Sequence, residues 1–93
     1  MKKGTTKSGF KYTMDPTSLQ DMRVLDSLAD VIDPDAPEIR KIVGMSKLTE
    51  MILGADQKKA LYAHIASQHD GKVPPAALEV ELTEMLSEGE AKN

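Results

Sequence analysis

The sequence predicts an all-α protein, a compact single domain of four to five short helices with an extended N-terminal arm able to form a strand. Three observations carry that reading. Apolar residues recur at three- and four-residue spacings from Leu19 to Leu86, the period of helices with one buried face. Proline and glycine cut the pattern repeatedly, at Pro34, Pro37, Gly44, Gly54, Gly71 and Pro74, so each helical run is short. Phe10, Tyr12 and Tyr62 are the only aromatics, which leaves Leu, Ile, Val, Met and Ala to build a core by helix-on-helix packing. At 93 residues the chain makes one domain with a modest core.

Taken in order, residues 1–14 read as a flexible, basic arm. Residues 1–8 are rich in Lys, Gly, Ser and Thr and predict disorder when isolated. Phe10, Tyr12 and Met14 alternate with Lys11 and Thr13, giving a short extended segment with one apolar face. Such a strand must pair with another segment or lie on the helices. The helical domain spans 15–89. Asp15-Pro16 opens it, with Thr17 or Ser18 as equal candidates for the cap. Leu19, Met22, Leu25, Leu28, Ala29 and Ile32 form the clearest apolar stripe, widened by Val24 and Val31, and Asp33-Pro34 ends that helix. A second helix follows Pro37, carries Ile39, Ile42 and Val43, and exits at Gly44; a third carries Leu48, Met51, Ile52 and Leu53 to Gly54. The fourth runs from about Ala55 to Gln68 with Leu61, Tyr62, Ile65 and Ala66 inward, and Asp70-Gly71 closes it. Pro74-Pro75 opens the last helix, which holds Leu78, Leu82, Met85 and Leu86, with Val80 off the stripe. Residues 90–93 read as a disordered tail.

Little in this chain is arranged for chemistry. Cysteine is absent, which removes disulfides and thiolate metal sites and fits a reducing compartment. His64 and His69, five residues apart, would point about 140° apart on a helix and could not share a metal. Asp70-Gly71-Lys72 lacks the preceding acids of a calcium loop. Glu79, Glu81, Glu84 and Glu88 read as a solvated face, and no serine sits beside a convincing base. The expectation is a protein with no catalytic residue, cofactor or metal. The N-terminus has no apolar core of a signal peptide and no run is long enough to span a membrane.

Charge argues the same way. The net −3 combines Lys2, Lys3, Lys7 and Lys11 in the arm with an acidic remainder, a body that repels a phosphate backbone. Segments 36–43 and 46–53 joined by Gly44 have the shape of a helix-turn-helix, but the second offers only Lys47 beside Glu50 for DNA. What remains is a protein-interaction surface, formed where apolar residues spill around the helices at Val24, Val31, Met45 and Met51, unless those residues simply complete the core.

The ordered set of segments resembles a tail assembly chaperone of long-tailed, siphovirus-like bacteriophages of Gram-positive hosts. The resemblance spans residues 7–93 and is carried by Lys7-Ser8-Gly9-Phe10-Lys11-Tyr12, by the acidic helix from Leu19-Gln20-Asp21-Met22 to Ala29-Asp30, and by Leu48 to Leu53 with Gly54. It continues through Gln57-Lys58-Lys59-Ala60-Leu61-Tyr62-Ala63-His64 and is strongest at His69-Asp70-Gly71-Lys72-Val73-Pro74, leading into Leu78-Glu79-Val80-Glu81-Leu82-Thr83-Glu84-Met85, with Lys92-Asn93 at the close. No catalytic residue belongs to that pattern.

The resemblance implies a helical protein acting in the host bacterial cytoplasm during phage assembly and absent from the mature virion. Such chaperones bind the long, helical tape measure protein, keep it soluble and help recruit the major tail tube protein; many also have a longer, frameshifted product. Helix-in-groove contacts, each weak but effective in series, would suit that task. Phe10, Tyr12, Met22, Leu25, Met51 and Met85 are the expected partner-binding positions. Self-association is expected too, through the arm or through helix pairing. The alternative is a small regulatory or adaptor protein, binding DNA through the basic arm.

Overall fold

A computed structural model describes the backbone of residues 1–91 and the side chains of residues 1–87. The arm is not a single strand but a hairpin. β1 (Lys2–Thr5) and β2 (Lys11–Met14) pair antiparallel in the register Lys2 opposite Met14 and Gly4 opposite Tyr12. The connection, residues 6–10, is closed by Thr6 N–H to Phe10 C=O and Gly9 N–H to Thr6 C=O, both 2.9 Å, with Gly9 at φ +97°. Residues 1–8 were expected to be disordered in isolation. Paired with β2 they are ordered, because β2 supplies backbone partners that a polar segment cannot find alone. Phe10, Tyr12 and Met14 turn inward, 7%, 3% and 2% exposed, and the arm thus folds back onto its own helices.

A 3-10 turn (Pro16–Gln20), capped by Asp15 accepting from Thr17 N–H at 2.9 Å, leads into α1 (Met22–Ile32), capped by Asp21 accepting from Arg23 N–H at 2.9 Å. Helix α1 ends at Asp33-Pro34 as the sequence required. Helix α2 (Glu38–Ser67) follows, and α3 (Pro75–Ala91) completes the domain. The described chain therefore has three helices rather than four to five. Residues 92 and 93 of the expected tail lie outside the described residues.

The difference in count arises at two glycines. The sequence placed a helix end at Gly44, yet α2 runs straight through it. A Cβ at Gly44 would sit 3.2 Å from the carbonyl oxygen of Ser27 and 3.2 Å from Val31, so α1 and α2 approach closely there, and packing outweighs the helix cost of glycine. The interruption comes at Gly54 instead. Its φ of +84° and ψ of 162° are open essentially to glycine alone and kink α2 into arms 38–53 and 55–67. Segments 36–43 and 46–53, whose shape suggested a helix-turn-helix, are not separate helices but share one uninterrupted helical arm that begins at Glu38.

Gln57, just past the kink, joins hairpin to helix. Its amide accepts from Thr13 N–H and donates to Thr13 C=O, both at 2.7 Å, so it pairs the outer edge of β2 as a neighbouring strand would. The same nitrogen reaches Leu53 C=O at 2.8 Å, a carbonyl that the kink leaves near the end of the first arm. The core lies between the inner face of the hairpin, the inner face of α1, the two arms of α2, and α3. Leu48, Leu61 and Met85 are its most enclosed apolar side chains together with Met14. Leu61, Ile65, Leu78 and Leu82 face inward as their spacing predicted, and Gly71, at φ +83°, ends α2 by donating to Ala66 C=O at 2.8 Å.

Candidate interaction surface

Three features outside the core could carry function: a polar cluster under the hairpin tip, an outward stripe on α1, and a groove between α1 and α2.

The cluster forms where the turn 6–9 meets the second arm of α2 and α3. Glu81 is 5% exposed and accepts from Thr6 Oγ1 at 2.8 Å and from Ser8 Oγ at 3.0 and 3.1 Å. Ser8 Oγ also stands 3.0 Å from His64 Nε2, and the His64 ring packs 5.6 Å from the centroid of Phe10. The serine and histidine are near enough for a nucleophile and its base, but the proton runs the other way. Ser8 has one hydroxyl proton and an ionised carboxylate can only accept, so Ser8 donates to Glu81 and receives from His64 Nε2–H. The cluster is thereby a clasp, reinforced by Lys7 N–H donating to Glu84 at 2.7 Å. The expectation that Glu81 belongs to a solvated face is corrected here: the hairpin covers it, and its hydroxyl partners replace the water it loses. Sequence reading missed the cluster because Ser8, His64 and Glu81 are far apart in the chain and none is distinctive alone.

Helix α1 presents a different face to the core from the expected one. Val24 and Ser27 are buried, with Leu28 and Val31 packed alongside, while Met22, Leu25 and Ile32 are 65%, 36% and 69% exposed. Met22, Leu25, Ala29 and Ile32 follow a three-four spacing and make an outward apolar stripe. The sequence showed apolar residues on both sides of α1. The side that faces in is the one that meets α2 at Gly44, where Ser27 and Val31 lie against the helix.

The six expected contact positions therefore divide. Phe10, Tyr12 and Met85 are buried in this fold and belong to the core, Met85 fully, because the hairpin closes over α2 and α3. Met22 and Leu25 lie on the outward stripe of α1, and Met51 is partly buried beside the groove between α1 and α2. Ile39 and Val43, 68% and 45% exposed on the first arm of α2, also line that groove and were read from spacing as core residues of a short helix. At its α1 rim, Asp21 pairs with Arg23 at 2.7 Å. Hydrogen bonds from the Arg23 side chain and backbone hold the Asp21 carboxyl below its usual range, and the same pair raises the Arg23 guanidinium.

Among the described residues no group of side chains could hold a metal ion, and no helix is long and apolar enough to cross a membrane. Comparison with family models, curated proteins and solved structures gives no match.

Proposed function

We propose that this chain is a non-catalytic tail assembly chaperone that covers apolar helical stretches of a tape measure protein, keeps them soluble and promotes addition of tail tube subunits. The observation that supports the reading most is the outward stripe of α1. Four apolar positions, Met22, Leu25, Ala29 and Ile32, lie on the surface of a helix whose opposite face is already committed to the core. A stripe of that period matches a second amphipathic helix laid along it. The setting that goes with the proposal is the host bacterial cytoplasm during assembly, with the protein absent from the finished virion.

Co-expression with the tape measure protein of the same genome, followed by pull-down and light scattering, tests it. The expected result is a soluble complex with several copies of this chain per tape measure, lost when Leu25→Asp and Ile32→Asp are combined in a chain that still folds. A tape measure that stays insoluble, with this protein alone in solution, would refute the reading. The adaptor alternative would then be examined through DNA binding, its salt dependence and its loss on substituting Lys2, Lys3, Lys7 and Lys11.

A further inference from the structure

The groove between α1 and α2 has a volume of about 890 Å³ and follows α2 from Ile39 to Met51, about 18 Å or a little over three helical turns. Ser27 and Gly44 make its floor low, because the two helices meet there without a large side chain between them. Ile39, Val43 and Met51 give it apolar walls. Its two rims carry opposite charge. Asp26 and Asp30, one turn apart, stand on the α1 side, and Arg40 and Lys47 stand on the α2 side. Arg23 and Lys58, also at the groove, are already engaged by Asp21 at 2.7 Å and Glu50 at 3.4 Å. Asp26, Asp30, Arg40 and Lys47 make no ion pair among the described residues.

We propose that this groove docks an amphipathic helix of a partner protein, whose apolar stripe runs between a basic flank set against Asp26 and Asp30 and an acidic flank set against Arg40 and Lys47. The proposal deepens the chaperone reading and rests on it for the helical character of the partner; the charge pattern and the place of docking come from the groove itself. The acidic rim disfavours a nucleic acid backbone. Two apolar faces of a second copy do not match either. The outward stripe of α1 has Asp26 and Asp30 on its free flank, and the surface of α3 offers Glu79 beside Val80, so neither brings the required basic flank. Turning a helix end for end in a groove exchanges its flanks, so the two rims also fix the direction in which the partner lies.

The test uses the full chain labelled with 15N and three synthetic helical peptides of about 18 residues. All three share one leucine stripe; one has a Lys flank and a Glu flank, one has Glu on both flanks and one has Lys on both. The segregated peptide is expected to shift amides of 23–30 and 39–51 and to bind at least fivefold more tightly than either uniform peptide. Val43→Asp, at an exposed position, is expected to weaken it at least tenfold with thermal unfolding unchanged. Combining Asp26→Lys with Asp30→Lys should transfer the preference to the all-Glu peptide, since both rims are then basic. Equal binding of the three peptides, shifts centred on Met22, Leu25 and Ile32, or no binding at all would overturn the proposal. A tape measure complex that survives Val43→Asp but is lost with the Leu25 and Ile32 changes would sink the groove while leaving the chaperone reading intact.

Discussion

Replacing Glu81 by alanine should loosen the hairpin more than any surface change of similar size. The wild-type carboxylate accepts two hydroxyl donors, Thr6 at 2.8 Å and Ser8 shared between its oxygens at 3.0 and 3.1 Å, in a setting where Thr6 is 4% and Glu81 5% exposed. Hydrogen bonds to a charged group contribute about 1.5–3 kcal/mol each. Two effects reduce the sum. Burying the carboxylate costs part of that gain, and after truncation Thr6 can turn to Ser8 at 3.2 Å while Ser8 turns to His64 at 3.0 Å. The net loss is about 2–3 kcal/mol, a drop of about 10–20 °C in Tm for a domain of this size. Glu81→Gln should cost about 1 kcal/mol or less: its carbonyl still accepts from Thr6, its amide donates to Ser8, and the Ser8 hydroxyl turns to donate to His64 Nε2 once the imidazole takes its other tautomer. Urea unfolding followed by circular dichroism gives the free energies, and hydrogen exchange at the amides of Thr6 and Lys7 reports the clasp directly. A loss below about 0.5 kcal/mol for Glu81→Ala, with exchange at those amides unchanged, would refute the assignment of Glu81 as the group that holds the hairpin.

Three further outcomes follow from the geometry. Gly44→Val should cost about 1–3 kcal/mol in urea unfolding, because even a single Cβ would lie 3.2 Å from the backbone oxygen of Ser27, which cannot turn away as a flexible side chain would. Gly54→Ala meets no atom within 4 Å and should still destabilise by about 1–2 kcal/mol through its φ of +84°, a loss visible as a lower midpoint without a change in urea slope. Asp21→Ala should lower Tm near neutral pH; since the folded carboxyl titrates below its ordinary 3.8, the stability it adds is present above that value and disappears as acid protonates it, so wild type and variant should converge in scans taken at progressively lower pH.

Helix α1 contributes its inner face to the core, its outer stripe to the surface and its acidic rim to the groove, so one short helix sets both candidate contacts. The hairpin has a different role. Its burial of Phe10 and Tyr12 keeps two of the three aromatic side chains away from the surface, while Met22, Leu25 and Ile32 on α1 and Ile39 and Val43 on α2 stay exposed.

Much of the architecture was legible in the sequence because it rests on local chemistry. The apolar period fixed the helical class; Asp33-Pro34 ended α1 by the steric demand of proline on its predecessor, and Gly71 ended α2 by its left-handed φ. Leu61, Ile65, Leu78 and Leu82 could be placed inward from their four-residue spacing, whereas Met85, expected to meet a partner, is enclosed by the hairpin closing over α2 and α3. Tertiary structure decided whatever depended on a second element. Gly44 reads as a helix end until Ser27 is seen against it, whereas Gly54, with the same side chain and no such neighbour, breaks the helix. Helix α1, apolar on two sides, has no local term that selects which side is buried. Glu81 reads as solvated until the turn at residues 6–9 closes over it with two hydroxyl groups. Spacing along the chain fixes the period of a face and the ends of a helix; which face is covered is set by the shape and hydrogen-bonding groups of the element that comes to lie upon it.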